Sequence, residues 1–513
     1  MGLGARKSAV VRRSDMEPDS PFADPPRSPP DRGLTSSGPS LVSPLLRVGS
    51  LFGVATLVSF GAGVIRQKLF AVFLGPAGVG FLAGANRLQD FLVVISQLGT
   101  APGIVQQVAL RKSQNDPRAV MGAVASGALA VGCASLPLLV GVALYRGEVA
   151  RLAFGDPSAT WAVLLVAAGI PPLLLSTVLV AVLNGLHAFR AMALHNVLVV
   201  LLSLLLVVGL VPTLGLRGAV ASVGLAALAA AVVALVLAGR ELVRQLGTRF
   251  GTLVSMASPQ GAVLRGILRA GGVTYLDTLM GVTAALAINS LVIHTLGLSD
   301  NGCFQAALGI SRLYLGLLVS SAFTYLLPRL SAIGSHPEIV REQNDALRLL
   351  LRFLVPLSAL LLLFRWELIH ILYSPSFAPV EGLLVITVPG DLFYGTIWVV
   401  GASFIPTGRF RAYALVSVFN NLLYPSLVLA LLPVWGLPGA ALAYTLGNAC
   451  TLVLLCFVQW RETGFRLDGR NLFMLISGLL LLLGLGQVPA GHHAAQVLGL
   501  VGVGLWAGGS LRR

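Results

Sequence analysis

Charge is scarce in this chain. Acidic and basic side chains make up 11% of its 513 residues, against about 25% in an average soluble domain, which excludes an ordinary water-soluble protein. Lysine is confined to Lys7, Lys68 and Lys112, so the basic residues are nearly all arginine. The only cysteines are Cys133, Cys303, Cys450 and Cys456, each inside an apolar run and none in a Cys-x-x-Cys pair. That leaves no metal ligand set and no thiol-redox pair. A phosphate-binding loop is also missing: Gly4-Ala-Arg-Lys7-Ser8 lacks the spacing such a loop needs. ATP is therefore not expected to act directly, and no cofactor is implied. Acids number 20 and bases 35, a surplus of +15 that in a soluble chain would point to nucleic acid.

What the chain has in abundance is apolar sequence, 56% of all residues, with a mean hydropathy of +0.87. A bilayer core takes about 20 helical residues. Runs of that length fall at 48–74, 79–109, 119–144, 159–184, 190–212, 216–238, 268–296, 302–328, 346–372, 379–404, 411–433 and 437–460, with shorter ones at 471–487 and 494–510. Fourteen transmembrane helices are thus predicted, and the fold class is an all-α polytopic membrane protein. Ahead of them, residues 1–44 carry eight prolines, six scattered bases and little apolar clustering, the composition of a disordered tail. When alternate loops are assigned to one side, 27 of the 35 bases lie there and four lie opposite, at Arg146, Arg151, Arg217 and Arg365. Positive loops stay inside, so both termini are expected in the cytoplasm. Topology then explains the surplus charge, and no nucleic-acid partner is needed.

The sequence repeats itself at an offset near 221. Phe189-Arg190-Ala191 matches Phe410-Arg411-Ala412, and Pro212-Thr-Leu-Gly215-Leu-Arg-Gly218-Ala219 matches Pro433-Val-Trp-Gly436-Leu-Pro-Gly439-Ala440. Leu74-Gly75 matches Leu296-Gly297, Gly80 matches Gly302, and with a three-residue gap Gly84-x-x-Arg87-Leu88 matches Gly309-x-x-Arg312-Leu313. The first twelve spans are therefore two six-helix copies. Because six is even, the copies are parallel, about an axis along the membrane normal, and transporters commonly place a substrate path between such halves. The expected organisation is a tail at 1–44, a six-helix lobe at 45–239, a basic cytoplasmic linker at 240–266, a second lobe at 267–460 and two added spans within 461–513.

Seven ionisable side chains fall inside spans: Arg66, Lys68, Arg87, Asp90, Asp277, Arg312 and Asp391. Each costs at least ~2.5 kcal/mol if it faces lipid at the bilayer centre, so most must face the protein interior. Arg66 and Lys68 are two residues apart and point to nearly opposite helix faces. Lys68, nearer the span end, can snorkel, which leaves Arg66 as the cavity candidate. Arg87 and Asp90, three apart, share a face and can neutralise each other. The face of Arg312 carries Gln305, Gly309 and Gly316, and that of Arg87 carries Gly80, Gly84 and Phe91; the small residues among them leave room either for a ligand or for close helix packing. Arg66, Arg87 and Arg312 are the candidate anion-binding residues. Asp90, Asp277 and Asp391 are the candidates for proton or cation coupling. Prolines at Ile170-Pro171-Pro172, Val388-Pro389-Gly390-Asp391 and Phe404-Ile405-Pro406 mark static kinks or hinges.

The stretch Arg66-Gln-Lys-Leu-Phe-Ala-Val-Phe-Leu-Gly-Pro-Ala-Gly-Val-Gly80 resembles the first-span signature of Wzx-type flippases, in the polysaccharide transporter branch of the multidrug/oligosaccharidyl-lipid/polysaccharide exporter superfamily. Leu326-Leu-Pro-Arg-Leu330, Glu367-Leu-Ile-His-Ile-Leu-Tyr373 with Phe377, Gly390-Asp391 and Gly436-Leu-Pro-Gly-Ala440 extend the resemblance over residues 47 to 460, in an order nearest the O-antigen and enterobacterial common antigen type. The resemblance implies a MATE-like fold of two lobes in a V around a cationic cavity. It further implies translocation of a polyprenyl-pyrophosphate-linked glycan to the outer leaflet of a bacterial inner membrane, a monomeric chain, and contact with a polysaccharide polymerase or other assembly proteins. Fourteen spans are more usual in lipid II flippases, and Arg66 matches an arginine in that group. A cation-coupled antiporter would need acids dominating the cavity. A membrane glycosyltransferase or polymerase would need catalytic residues on long outward loops, and the loops here are short, so an enzyme is not expected.

Overall fold

The computed structural model describes residues 42–333, 335–489, 491 and 493–512; the expected disordered tail lies almost wholly outside them. The described chain is helical, with no strand: α1 (Val42–Gln97), α2 (Thr100–Ser113), α3 (Pro117–Leu144), α4 (Arg146–Phe154), α5 (Thr160–Gly185), α6 (Phe189–Leu246), α7 (Phe250–Ser255), α8 (Gly261–Leu296), α9 (Leu298–Ala332), α10 (His336–Leu363), α11 (Arg365–Leu372), α12 (Pro379–Gly401), α13 (Phe410–Thr463), α14 (Gly469–Gly486) and α15 (His493–Arg512). Ten of these are long and apolar enough to cross a membrane. Three of the ten, α1, α6 and α13, are broken in the middle at Gly75, Gly215 and Gly436. Each of the three is therefore a pair of helical segments, and with the shorter apolar α15 the helices fall on the fourteen runs predicted from sequence, although 79–109 and 346–372 are each divided between two helices.

The breaks show the internal repeat in backbone form. Gly215 (φ 55°, ψ −131°) and Gly436 (φ 59°, ψ −141°) adopt nearly one conformation 221 residues apart. His187 (φ 56°) and Gly408 (φ 69°) are a second left-handed pair at the same offset. Gly75 (φ 64°) and Gly297 (φ 95°) form a third, one residue further apart. A residue with a Cβ is disfavoured at such angles, which is why five of these six positions are glycine. Other boundaries depart from the sequence reading. The run 79–109 is not one helix: Leu98 and Gly99, both at positive φ, separate α1 from α2. The basic stretch 240–266, which the sequence marks as a linker with no particular secondary structure, takes in the end of α6, all of α7 and the start of α8. The helices α5 and α12 run through Pro171, Pro172 and Pro389, whereas Pro406 lies in the turn after α12.

Buried apolar side chains form two cores. One gathers Ile104, Val163, Ile170 and Leu183 from the first repeat. The other gathers Phe304, Leu351, Phe377 and Leu482 and takes in Phe70, Val79 and Val207 from the first repeat at the seam. Leu205, Leu228, Leu429, Val453 and Leu480 are exposed. So many bare aliphatic side chains on the helix exteriors suit hydrocarbon rather than water.

The last two helices pack on the second repeat, α14 and α15 against α10 and α14 also against α12. Arg365 is buried at this seam, donating to Leu362 O at 2.8 Å and Val488 O at 2.5 Å. Gln496 adds bonds to Leu363 O at 3.1 Å and Glu367 Oε1 at 2.7 Å. Replacing Arg365 by leucine leaves two carbonyls without their donor, at about 1–3 kcal/mol for each that stays unsatisfied. The melting temperature of the detergent-solubilised protein is expected to fall by several degrees; an unchanged value would mean that the Arg365 bonds add nothing to the hold on these helices.

Candidate functional site

The breaks in α1 and between α8 and α9 turn the second halves of the equivalent helix pairs toward each other. Gly80 and Gly302 meet there: a Cβ on Gly80 would lie 2.0 Å from Leu298 O, and one on Gly302 would lie 1.9 Å from Pro76 O. Asn301 Nδ2 donates to Gly80 O at 3.1 Å across the same contact and to Asn289 Oδ1 of α8 at 3.0 Å beside it. At the opposite, arginine-rich face α2 packs on the start of α8. A Cβ on Gly271 would lie 1.9 Å from Gly99 O, and one on Gly103 would lie 2.3 Å from Ile267 O. The two repeats are thus in backbone contact at both ends of the helices.

Between these contacts lies a cavity of about 550 Å³. It is lined from α1 by Arg66, Gln67, Asn86, Arg87 and Asp90, from α6 by Ser203 and Ser222, and from α9 by Gln305, Gly309 and Arg312. All three arginines singled out from sequence therefore line one space, two from the first repeat and one from the second. Arg87 Nη1 is 3.4 Å from Asp90 Oδ2, and its Nη2 donates to Gln305 Oε1 at 3.4 Å. Three guanidinium groups face one carboxylate, so the cavity is cationic. Guanidinium offers paired donors in a fixed plane that match phosphate oxygens, and the neighbouring amides and hydroxyls suit a polar headgroup.

The glycines on these helix faces divide between two uses. Gly80 packs against α9, and Gly84 sits 2.5 Å, at its would-be Cβ, from Ala153 O, so both serve close helix packing. Gly309 lines the cavity with only Tyr373 Oη within contact range of a Cβ, and Gly316 has nothing within 4 Å. The second-repeat glycines leave room.

The three acids do not share a site. Asp90 stays with Arg87. Asp277 lies on a separate cavity of about 490 Å³, where Tyr413 Oη and Ser417 Oγ of α13 both donate to its carboxylate. Asp391 is fully buried in α12 and accepts from Tyr314 Oη and, at 2.9 Å, from Tyr444 Oη. These tyrosines were not identified from sequence, because they stand 136, 77 and 53 residues from the acids they meet. Among the described residues, no three His, Cys, Asp or Glu side chains converge as a metal-holding group.

Lys68 departs from the snorkelling role expected of it. Its Nζ donates to His370 O at 3.0 Å and Tyr373 O at 2.6 Å, capping the end of α11. Its neighbour Gln67 reaches Tyr373 Oη at 3.3 Å. The lysine ties the first repeat to the second at the Gly75 face, while Arg66, on the other side of the helix, faces the cavity.

A family model described as polysaccharide biosynthesis protein matches residues 45–334. A lipid III flippase from Escherichia coli (strain K12) is 28% identical over 417 residues, covering 80% of this chain and 97% of that protein. Among solved structures, the lipid II flippase MurJ in an inward closed conformation aligns with a TM-score of 0.70 at 15% identity, over 89% of this chain and 98% of that one. An inward-facing multidrug resistance MATE family transporter of the MOP superfamily aligns with a TM-score of 0.65 at 13% identity, over 84% and 96%. The fold is that of a MATE-like polytopic membrane transporter.

Proposed function

This chain belongs to the polysaccharide biosynthesis protein family, and we propose that it is a flippase carrying a polyprenyl-pyrophosphate-linked glycan across the bacterial inner membrane by alternating access. The observation that carries this reading is the joint cavity of Arg66, Arg87 and Arg312. A pyrophosphate cannot cross hydrocarbon unaided, because an isolated charge loses many kcal/mol of hydration. Three guanidinium groups replace that hydration, and the lipid tail stays in the bilayer while the headgroup passes. Direction rests on topology: the 27-to-4 bias of basic residues supports an orientation with the arginine-rich face and both termini in the cytoplasm and the Gly75 face outside. The glycan enters from the cytoplasmic leaflet and leaves to the outer one. The 28% identity with a lipid III flippase supports a lipid-linked glycan as substrate, and the sequence resemblance to the O-antigen and common-antigen type supports a surface polysaccharide.

Coupling falls to Asp277 and Asp391 in this reading, since each carboxylate is held by hydroxyl groups, whereas Asp90 is held by Arg87 and trims the charge of the cavity. Moving one charge through the membrane potential yields ~2.3 kcal/mol per 100 mV, enough to bias the cycle. Asp277→Asn and Asp391→Asn keep the shape of the side chain but remove its charge. At least one is expected to abolish the dependence of transport on a proton or sodium gradient in vesicles; retention of full gradient dependence by both would remove the acids from the coupling role.

The functional test is mass spectrometry of polyprenyl-pyrophosphate lipids in cells depleted of the protein. Accumulation of a lipid-linked oligosaccharide is expected and names the glycan. Accumulation of lipid II would move the chain to cell-wall precursor transport, and absence of any accumulated lipid would overturn the lipid-carrier reading.

A further inference from the structure

The arginine cavity does not end at Arg312. That residue also lines a second space of about 520 Å³ within the second repeat, together with Ser311, Gly316, Tyr394, Trp398, Tyr424 and Tyr444. Phe323, Tyr394 and Trp398 in turn line the cavity that holds Asp277, so the three spaces share walls in series. The middle space is an aromatic chamber. Phe323 and Trp398 meet edge to face with ring centres 5.3 Å apart, and Tyr394 and Trp398 meet at 6.1 Å. Trp398 nevertheless leaves 42% of its surface uncovered, so its ring is available to an occupant. Next to Arg312, Tyr424 stands edge to face with Tyr444 at 5.9 Å. Its hydroxyl is buried and has no hydrogen-bond partner among the described residues, an arrangement that costs free energy unless an occupant supplies one. Beyond the platform, Asn420, Asn421, Asn448 and Thr451 add amides and a hydroxyl.

We propose that this chamber receives the first sugar rings of the glycan whose pyrophosphate lies at Arg66, Arg87 and Arg312, with the rings stacked on Trp398 and Tyr394 and a sugar oxygen bonded to Tyr424. The inference rests on the flippase reading given above and specifies where the glycan sits. A sugar ring has one polar rim and one face of C–H groups; the face packs on aromatic rings and the rim bonds hydroxyls and amides. The polyprenyl chain is the poorer occupant, because hydrocarbon would leave the buried Tyr424 hydroxyl without a partner. Each space is also within the ~300–1,000 Å³ typical of ligand pockets.

The test uses the purified full-length chain and two probes, bare polyprenyl pyrophosphate and the lipid-linked oligosaccharide recovered from depleted cells, with binding read by native mass spectrometry. Trp398→Ala is expected to weaken the oligosaccharide probe about 10-fold, and Tyr424→Phe about 3- to 10-fold, with the bare lipid changed less than about 2-fold. Trp398→Phe, which keeps a ring, is expected to restore most of the loss, and unchanged melting temperatures separate lost contact from lost fold. Equal weakening of both probes would assign the chamber to the lipid chain and overturn the proposal, as would no weakening of either. If the wild-type chain binds the two probes equally, the sugars add nothing and the chamber proposal fails while the flippase reading stands. If it binds neither probe, the flippase reading fails first.

Discussion

Replacing Arg312 or Arg66 by alanine is expected to reduce translocation of the lipid-linked glycan by roughly 30- to 5,000-fold, the equivalent of the ~2–5 kcal/mol lost when one partner of a desolvated charge pair is removed. The two residues line one cavity of about 550 Å³ from different repeats, so under the proposed flippase function a doubly charged pyrophosphate is expected to bridge the repeats only while both are present. Lysine in place of either keeps the charge but loses the planar fork, and a partial loss of about 10-fold is expected. Arg87 behaves differently because it is 3.4 Å from Asp90. Its removal takes away a cation and also leaves a bare carboxylate in the cavity, where it repels phosphate. Arg87→Ala is therefore expected to be at least as damaging as Arg312→Ala, and adding Asp90→Asn to recover part of the activity. The check is accumulation of the lipid-linked oligosaccharide in cells carrying each variant, normalised to the amount of protein in the membrane. Wild-type lipid levels in Arg66→Ala and Arg312→Ala cells would refute the anion-binding role.

Much of this arrangement is legible in the sequence because the membrane simplifies the reading. Hydropathy marks spans, since every span must satisfy its own backbone in a solvent that offers no hydrogen bonds. Charge marks the interior, since Arg66, Arg87 and Arg312 have no affordable position facing lipid. The repeat marks the breaks, because Gly215 and Gly436 recur where the chain needs a conformation closed to other residues. What helical period does not reveal is which neighbour a face will meet. Gly80, Gly84 and Gly309 look alike along the sequence, yet the first two pack against backbone and the third borders open space. Lys68 looks like an anchor for the interface because its partners are two backbone carbonyls near residue 372, and carbonyls leave no mark in a sequence. The tyrosines on Asp277 and Asp391 come from remote helices, and only the folded chain brings them to their acids.

A second large effect is expected from Gly302. Any side chain there meets Pro76 O at 1.9 Å and the Pro76 carbonyl carbon at 2.7 Å, both backbone atoms that no rotamer change can move aside. Packed helices respond to such an overlap by separating, because protein interiors have no spare volume to absorb it. In Gly302→Val, α1 and α9 are expected to part at the Gly75 face, breaking the Asn301 bond to Gly80 O. The Lys68 clamp on α11 is a separate tie at the same face and does not relieve the overlap. Alternating access needs each face to close in turn, since a path open at both ends lets the coupling ion leak and leaves the glycan without a direction. Transport is therefore expected to fall at least ~100-fold, the order of loss that follows when a small displacement disrupts a required geometry. Labelling of a cysteine placed at Gln67, beside the cavity, by a membrane-impermeant thiol reagent added outside is expected to rise. Gly382→Ala is the control, because nothing lies within 4 Å of a Cβ at that position and it lines none of the cavities described, and it is expected to leave both readings unchanged. Wild-type transport and labelling in Gly302→Val would show that the Gly80–Gly302 contact is not a state the working protein must visit. Lost transport without increased labelling would instead place the defect in assembly of the helices rather than in closure of the outer face.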